Sequence, residues 1–214
     1  MTANLKIIIG STRPGRAGAA VAEWFHALAV QHAGFDADLV DLAAVGLPLL
    51  DEPEHPRRGR YAHEHTKRWS RIIAAGDAYV FVVPEYNHGY NAATKNALDY
   101  LYHEWRNKPV GFVSYGGIAA GSRAVQMLLQ VVTTLGMIPA MTSVNIPLIR
   151  RMVTPEGAFV TNRILEESGA ELLDELARWT ADLRSIGRGT AGGGRADPTE
   201  DGTEPVAPGL RRPS

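Results

Sequence analysis

The chain has 214 residues, 45% hydrophobic and 21% charged, which suits a soluble globular protein with one domain of roughly 180 residues and a tail. Lys and Arg total 22 against 23 Asp and Glu, a formal net charge of −1. That balance gives no sign of a nucleic-acid or anionic-membrane partner, and it counts against a small acidic electron carrier whose docking relies on charge of one sign. There are no cysteines, so disulfides, thiolate nucleophiles and cysteine-ligated zinc or iron–sulfur clusters are excluded.

The amino terminus leads straight into residues 5–9, a short strand ending at Gly10, without the basic region and long apolar core of a signal peptide. No apolar run is long enough to span a bilayer, so a cytoplasmic location is expected. A polar, glycine-containing loop follows (residues 10–18), then a helical pattern from Ala19 with Val21, Trp24, Phe25 and Leu28 on one face. Residues 35–42 alternate like a second strand, and 43–60 read as an irregular loop rich in Pro, Glu and Arg. A helix is expected over 63–75. The apolar run 78–83 has the look of a strand buried on both faces, broken by Pro84 and the turn formers Asn87, His88 and Gly89.

A helix is expected over 91–104, a fourth strand over 108–114 and a helix stopped by Gly136. A fifth strand is expected over 140–146 and a last helix over 161–186. From residue 187 the composition turns to Gly, Pro and charge, so 187–214 is expected to be a disordered tail on a single domain, residues 1–186. Five strands alternating with helices imply an α/β three-layer sandwich: a five-stranded parallel sheet in the order 2-1-3-4-5 with helices on both faces. Its switch point lies between the first and third strands, so the loops after Gly10, Pro84 and Ser114 fall on one rim, where open α/β sheets bind ligands.

The first of these loops has the makings of an anion site. Ser11 and Thr12 offer hydroxyls, Arg13 and Arg16 offer guanidinium forks, and the amides opening the next helix point the same way. The competing reading is helix capping by Ser11 or Thr12 with solvated arginines. Thr12 stands where a G-x-G-x-x-G fingerprint needs glycine, so a terminal phosphate monoester suits the loop better than a pyrophosphate, and Asp41 reads as an end-of-strand cap or loop anchor. The second loop adds Tyr86, Asn87 and His88 beside backbone groups expected to be free at residues 85–87. The third adds Tyr115 with Gly116, Gly117 and Gly121. Flat aromatic faces and close-packed glycines near an anion site describe a pocket for a planar heterocycle on a phosphate tail, and flavin mononucleotide (FMN) has that shape. Rim packing or a subunit contact is the other use open to Tyr86 and Tyr115. His55, His63 and His65 lack a metal-ligand spacing, Ser114 lacks a nucleophile elbow, and Asp99 reads as a face charge.

Gly10-Ser11-Thr12-Arg13, Pro84-Glu85-Tyr86-Asn87 with the following Lys95-Asn96-Ala97-Leu98-Asp99, and Ser114-Tyr115-Gly116-Gly117 together resemble the NADPH-dependent FMN reductase family of flavodoxin-like proteins over roughly residues 5–183. The resemblance implies a flavodoxin-like fold, bound FMN, NADPH or NADH as electron donor, and homodimers or homotetramers with the flavin near a subunit interface. Ser11 and Arg13 would bind the FMN phosphate, helped by the turn through Arg16, Ala17, Gly18 and Ala19. Many relatives carry a further hydroxyl or amide side chain late in this loop, where this chain has Ala17, Gly18 and Ala19. Pro84, Glu85, Tyr86 and Asn87 would lie against the isoalloxazine with backbone amides near its N5 edge, and Ser114, Tyr115, Gly116 and Gly117 would hold its pyrimidine end. The implied chemistry is a ping-pong cycle carrying hydride from the nicotinamide to the flavin and on to a small-molecule acceptor: free flavin, a quinone or an azo compound. No side chain need act as acid or base, so no catalytic residue and no metal is named. A non-enzymatic flavodoxin-type FMN-binding electron carrier and a flavin-free dinucleotide-binding protein remain the alternatives.

Overall fold

The computed structural model describes residues 2–190, with 187–190 as backbone only; the tail expected over 187–214 lies outside the described residues from 191 on. The strands are β1 (Ala3–Ile9), β2 (Phe35–Asp41), β3 (Ala78–Pro84), β4 (Pro109–Tyr115), β5 (Ile138–Pro139) and β6 (Val144–Ile146). The helices are α1 (Gly18–Gln31), α2 (Leu42–Val45), α3 (Glu64–Ala74), α4 (Ala92–Asp99), α5 (Ser122–Thr134) and α6 (Arg163–Thr190), with short 3₁₀ helices at Pro56–Arg58 and Ile149–Arg151.

All strand pairings are parallel, in the order β2-β1-β3-β4-β5 read from the sequence, with β6 also pairing with β4. Every residue of β3 is buried, as its unbroken apolar run demands of a central strand. Its side chains alternate between two cores. Ala78, Val80 and Val82 pack with Leu5, Ile7, Val21, Phe25 and Leu172 on the α1 and α6 side, while Tyr79, Phe81 and Val83 pack with Trp69, Leu98 and Leu128 on the α3, α4 and α5 side. Among the described residues no helix is long and apolar enough to cross a membrane.

Three boundaries differ from the sequence reading by more than two residues, two of them for a traceable reason. The single fifth strand expected over 140–146 is two short strands, because Glu175 of α6 takes the amides of Met141 (2.8 Å) and Thr142 (2.9 Å) out of the ladder. Burial works against ionisation of Glu175, yet those two amides hold its carboxyl below the usual range. Helix α4 stops at Asp99 instead of 104: the Trp105 indole turns back to donate to the Leu98 carbonyl (3.2 Å), and its ring packs edge-on against Tyr79 and Trp69. Helix α6 runs four residues past 186, to Thr190.

The exit of β1 is tied to the start of α4 by a buried chain of polar groups. Asn91 Nδ2 donates to the Gly10 carbonyl (2.6 Å), the Thr94 hydroxyl donates to Asn91 Oδ1 (2.8 Å), and the Gly10 amide donates to the Val82 carbonyl (2.9 Å). A Cβ on Gly10 would stand 2.4 Å from Thr94 Oγ1, so only glycine lets these segments approach. Asn91→Ala strands the Gly10 carbonyl and the Thr94 hydroxyl in a dry site and is expected to lower the unfolding free energy by about 1–3 kcal/mol. Urea denaturation would show this as a lower midpoint at constant m; an unmoved midpoint rules the tie out as a structural element.

Candidate functional site

The loop leaving β1 comes first. Ser11 is buried, and its Oγ lies 3.1 Å from the Tyr86 hydroxyl, joining the first loop to the second. Arg13 is exposed and lines the cavity described below. The Arg16 guanidinium is ion-paired with Asp41, whose other oxygen accepts from the Ala43 amide (2.9 Å) at the start of α2. Asp41 is thus both cap and anchor. Neither Ser11 nor Thr12 caps α1: its N-cap is Ala17, without a side-chain bond, which leaves the first-turn amides open.

The loop leaving β3 is a tight hairpin. Tyr86 and Gly89 exchange backbone bonds of 2.9 and 3.0 Å, with Asn87 (φ 50°) and His88 (φ 71°) in the left-handed region between them, as a two-residue hairpin turn requires. The free amides expected at 85–87 are therefore largely spent. Glu85 donates to the Tyr115 carbonyl (3.0 Å) and Tyr86 to Gly89, so only the Asn87 amide is without a partner among the described residues. Sheet and hairpin pairing took the other two. The Glu85 carboxylate is buried and held by Arg123 of α5 (Nε to Oε1, 2.7 Å), and Arg123 in turn donates to His88 Nε2 (3.0 Å). This network fixes the hairpin to α5.

The loop leaving β4 is folded over β6. The Gly116 amide donates to the Ile146 carbonyl (3.2 Å), while the Gly117 and Gly116 carbonyls accept from Leu148 (2.9 Å) and Ile149 (3.1 Å). Ser114 is fully buried, and its Oγ lies 2.9 Å from both the Ala120 carbonyl and Asn145 Oδ1, with one proton to give. Tyr115 passes beneath the first loop, where Gly18 makes the room; a Cβ there would be 2.4 Å from the tyrosine hydroxyl.

These loops enclose one cavity of about 460 Å³. Ser11, Arg13 and Arg16 line it from the first loop, Pro84, Glu85 and Tyr86 from the second, and Tyr115, Gly116 and Gly117 from the third. Four residues expected at a ligand do not line it. Ser114 is spent bracing its own loop, Gly18 and Ala19 lie within α1, and Asn87 sits at the hairpin tip. Sequence reasoning missed the fourth wall, the 3₁₀ helix after β6, which brings Leu148, Ile149, Arg150 and Arg151. Its signal was the Arg-Arg pair just after a strand and a proline.

Two buried polar atoms at this cavity make no hydrogen bond of good geometry among the described residues: the Tyr115 hydroxyl, which has the Ser11 side chain beside it, and Arg16 Nε. Burial pushes the Tyr115 phenol well above its ordinary pKa, so it stays a neutral donor, and it lies within electrostatic reach of Arg16. Two unpaired donors beside Arg13 and the open α1 amides call for an oxygen acceptor with negative charge, and a phosphate monoester meets that demand.

A family model described as NADPH-dependent FMN reductase matches residues 3–149. An NAD(P)H-dependent FMN reductase of Schizosaccharomyces pombe is 44% identical over 129 residues, covering 59% of this chain and 64% of the relative. An NAD(P)H-dependent FMN reductase of a Nectria species is 42% identical over 128 residues, covering 57% of this chain and 63% of the relative. The chain thus spans just under two thirds of the length of these relatives. Among solved structures, a flavoenzyme NAD(P)H:(acceptor) oxidoreductase from Paracoccus denitrificans superposes with a TM-score of 0.67 at 19% identity, covering 85% of this chain and 99% of that one.

The Glu85–Arg123 pair gives a direct test of how the hairpin is held. Arg123→Met leaves the buried carboxylate with only the backbone amide of residue 123 (3.3 Å) and is expected to lower the unfolding free energy by about 1–3 kcal/mol, reduced from the fully buried case because the Arg123 side chain is 41% exposed. Adding Glu85→Gln should recover part of the loss. A double-mutant cycle in urea measures the coupling, and strict additivity would show that the pair contributes nothing.

Proposed function

The chain belongs to the NADPH-dependent FMN reductase family, and on that footing we propose that it is an NAD(P)H-dependent flavin oxidoreductase that holds FMN in the three-loop cavity. The observation that carries this reading is the pair of unpartnered donors, Tyr115 hydroxyl and Arg16 Nε, in the same cavity as Arg13 and Ser11.

Ser11, Arg13, Arg16 and the open first-turn amides of α1, at Gly18 and Ala19, would grip the phosphate. Arg16 is aligned for that by Asp41, and the amides compensate for the hydroxyl or amide side chain missing late in the loop. Pro84 and Tyr86 would flank the ring, held in place by Glu85 through Arg123. Gly116 and Gly117 leave room for a ring edge, and the Gly117 amide has no partner among the described residues. Asn87 and Ser114 would act from behind, through the hairpin turn and the loop brace. FMN bound there would supply the two-electron chemistry between NADPH or NADH and an acceptor such as free flavin, a quinone or an azo compound. Glu85 is the one carboxylate lining the cavity among the described residues, and its bond to Arg123 makes it a positioning group, so the residues serve to bind, orient and exclude water. Tyr86 and Leu148 are exposed at the mouth, which supports alternate use by donor and acceptor in a ping-pong order.

Exposed Ile118, Met127 and Leu148 near the mouth support assembly into a homodimer or homotetramer, and the cysteine-free composition supports work in the reducing cytoplasm. The domain we assign to this function is residues 1–186.

The purified protein is expected to show flavin absorption, to release FMN on denaturation, and to be bleached rapidly by NADPH without oxygen. A bound flavin that stays oxidised under NADPH would favour an electron carrier; failure to take up FMN would overturn the assignment. Arg13→Ala is expected to weaken FMN binding by about 1.5–3 kcal/mol, the range for a hydrogen bond to a charged group, read by fluorescence titration.

A further inference from the structure

The cavity has more positive charge than one phosphate needs, and the excess sits at its far end. Four arginines line it: Arg13, Arg16, Arg150 and Arg151. Arg16 is paired with Asp41, and the one lining carboxylate among the described residues, Glu85, is occupied by Arg123. The side chains of Arg13, Arg150 and Arg151 have no partner among the described residues. Arg13 follows β1, whereas Arg150 and Arg151 follow β6, and in the sheet β1, β3, β4 and β6 are successive neighbours. Three strand spacings put the ends of β1 and β6, from which the two loops start, roughly 14 Å apart. A phosphate gripped by Ser11, Arg13 and α1 leaves the other two arginines without a counter-charge, with Tyr86, Tyr115 and the two glycines between.

The backbone that carries the far arginines is held in place, while both side chains are exposed at the cavity. Their 3₁₀ helix hangs from the Gly116 and Gly117 carbonyls through the amides of Ile149 and Leu148, Ile149 is anchored in the core, and Leu148 is forced into the left-handed region (φ 48°). Consecutive residues on a 3₁₀ helix diverge by about 120°, so two arginines that both line one cavity approach a ligand from different sides. Guanidinium forks so placed match a phosphate, through paired charge-assisted bonds. Both residues lie just beyond the stretch matched by the family model, residues 3–149.

We propose that Arg150 and Arg151 form a second subsite, for a phosphate monoester carried by an incoming substrate. The inference rests on the FMN reductase reading, under which two substrates bring such a group. One is NADPH, whose 2′-phosphate NADH lacks; the other is free FMN as acceptor, whose 5′-phosphate riboflavin lacks.

The test uses the FMN-loaded wild type and the Arg150→Gln/Arg151→Gln variant, with flavin content measured first. Steady-state kinetics compare NADPH with NADH using riboflavin as acceptor, and FMN with riboflavin using NADH as donor. Calorimetry compares 2′-AMP with adenosine on the same holoenzyme. If the 2′-phosphate is the ligand, KM for NADPH rises about tenfold more than KM for NADH, and the preference for 2′-AMP over adenosine falls by a similar factor. If the acceptor phosphate is the ligand, KM for FMN rises about tenfold more than KM for riboflavin while the NADPH-to-NADH ratio holds, and the subsite stands with the other source. Equal changes for phosphorylated and unphosphorylated partners, or none, overturn it. A wild type without flavin or NADH turnover fails the parent reading instead. The 2′-AMP comparison, made on the protein as purified, then still reads the arginines, since it needs neither flavin nor turnover.

Discussion

The bond from Asn91 to the Gly10 carbonyl is the contact on which the geometry of the rim depends. Parallel strands deliver three loops to one end of the sheet, but register alone leaves each loop free to splay. Asn91 belongs to the segment after the hairpin, Gly10 opens the first loop, and Thr94 completes the tie from within α4. The first and second loops are thereby fixed at their roots, and Ser11 can meet Tyr86 across the gap. The third loop is held to the second by the Glu85 amide and to β6 through Gly116. The cavity is thus bounded by segments each anchored by hydrogen bonds at or beside the lining.

Charge is distributed by the same logic. The acidic groups near the cavity are used as braces: Asp41 aligns Arg16, and Glu85 secures Arg123 and, through it, His88. What faces the interior combines four arginines and two tyrosines with small and apolar residues, Glu85 being the one carboxylate among the described residues. A site of this kind favours an anionic, planar ligand through preorganised dipoles and guanidinium groups, which need little rearrangement on binding. At the cavity rim the left-handed non-glycine residues Asn87, His88 and Leu148 lie in short turns, where rigid neighbours hold them.

Much of this was legible in the sequence because it depends on local pattern. The apolar run 78–83 announced a central strand, alternation of strands and helices gave the sheet order, and the polar residues at three strand ends gave most of the lining. What escaped depends on partners distant in the chain. Nothing near residue 141 reveals that Glu175 will capture two amides and split a strand. Likewise, a backbone amide looks free until its neighbour is known. Glu85 donates across the sheet to Tyr115, and Ser114 turns inward to Ala120 and Asn145, so motif residues that looked available for a ligand work as braces. The early end of α4 follows from Trp105 folding back onto Leu98, a tertiary demand that overrides helical periodicity.

The split strand has a consequence for solubility as well as for shape. Beyond β4 the sheet offers a two-residue and a three-residue segment in place of a continuous row of donors and acceptors. A foreign extended chain therefore finds no template long enough to add onto. The opposite margin, β2, carries exposed Asp36 and the Lys6–Asp38 ion pair, charged groups that disfavour burial under an added strand. By pulling two amides off one flank, a single glutamate on the last helix helps keep the molecule from growing sideways into aggregates.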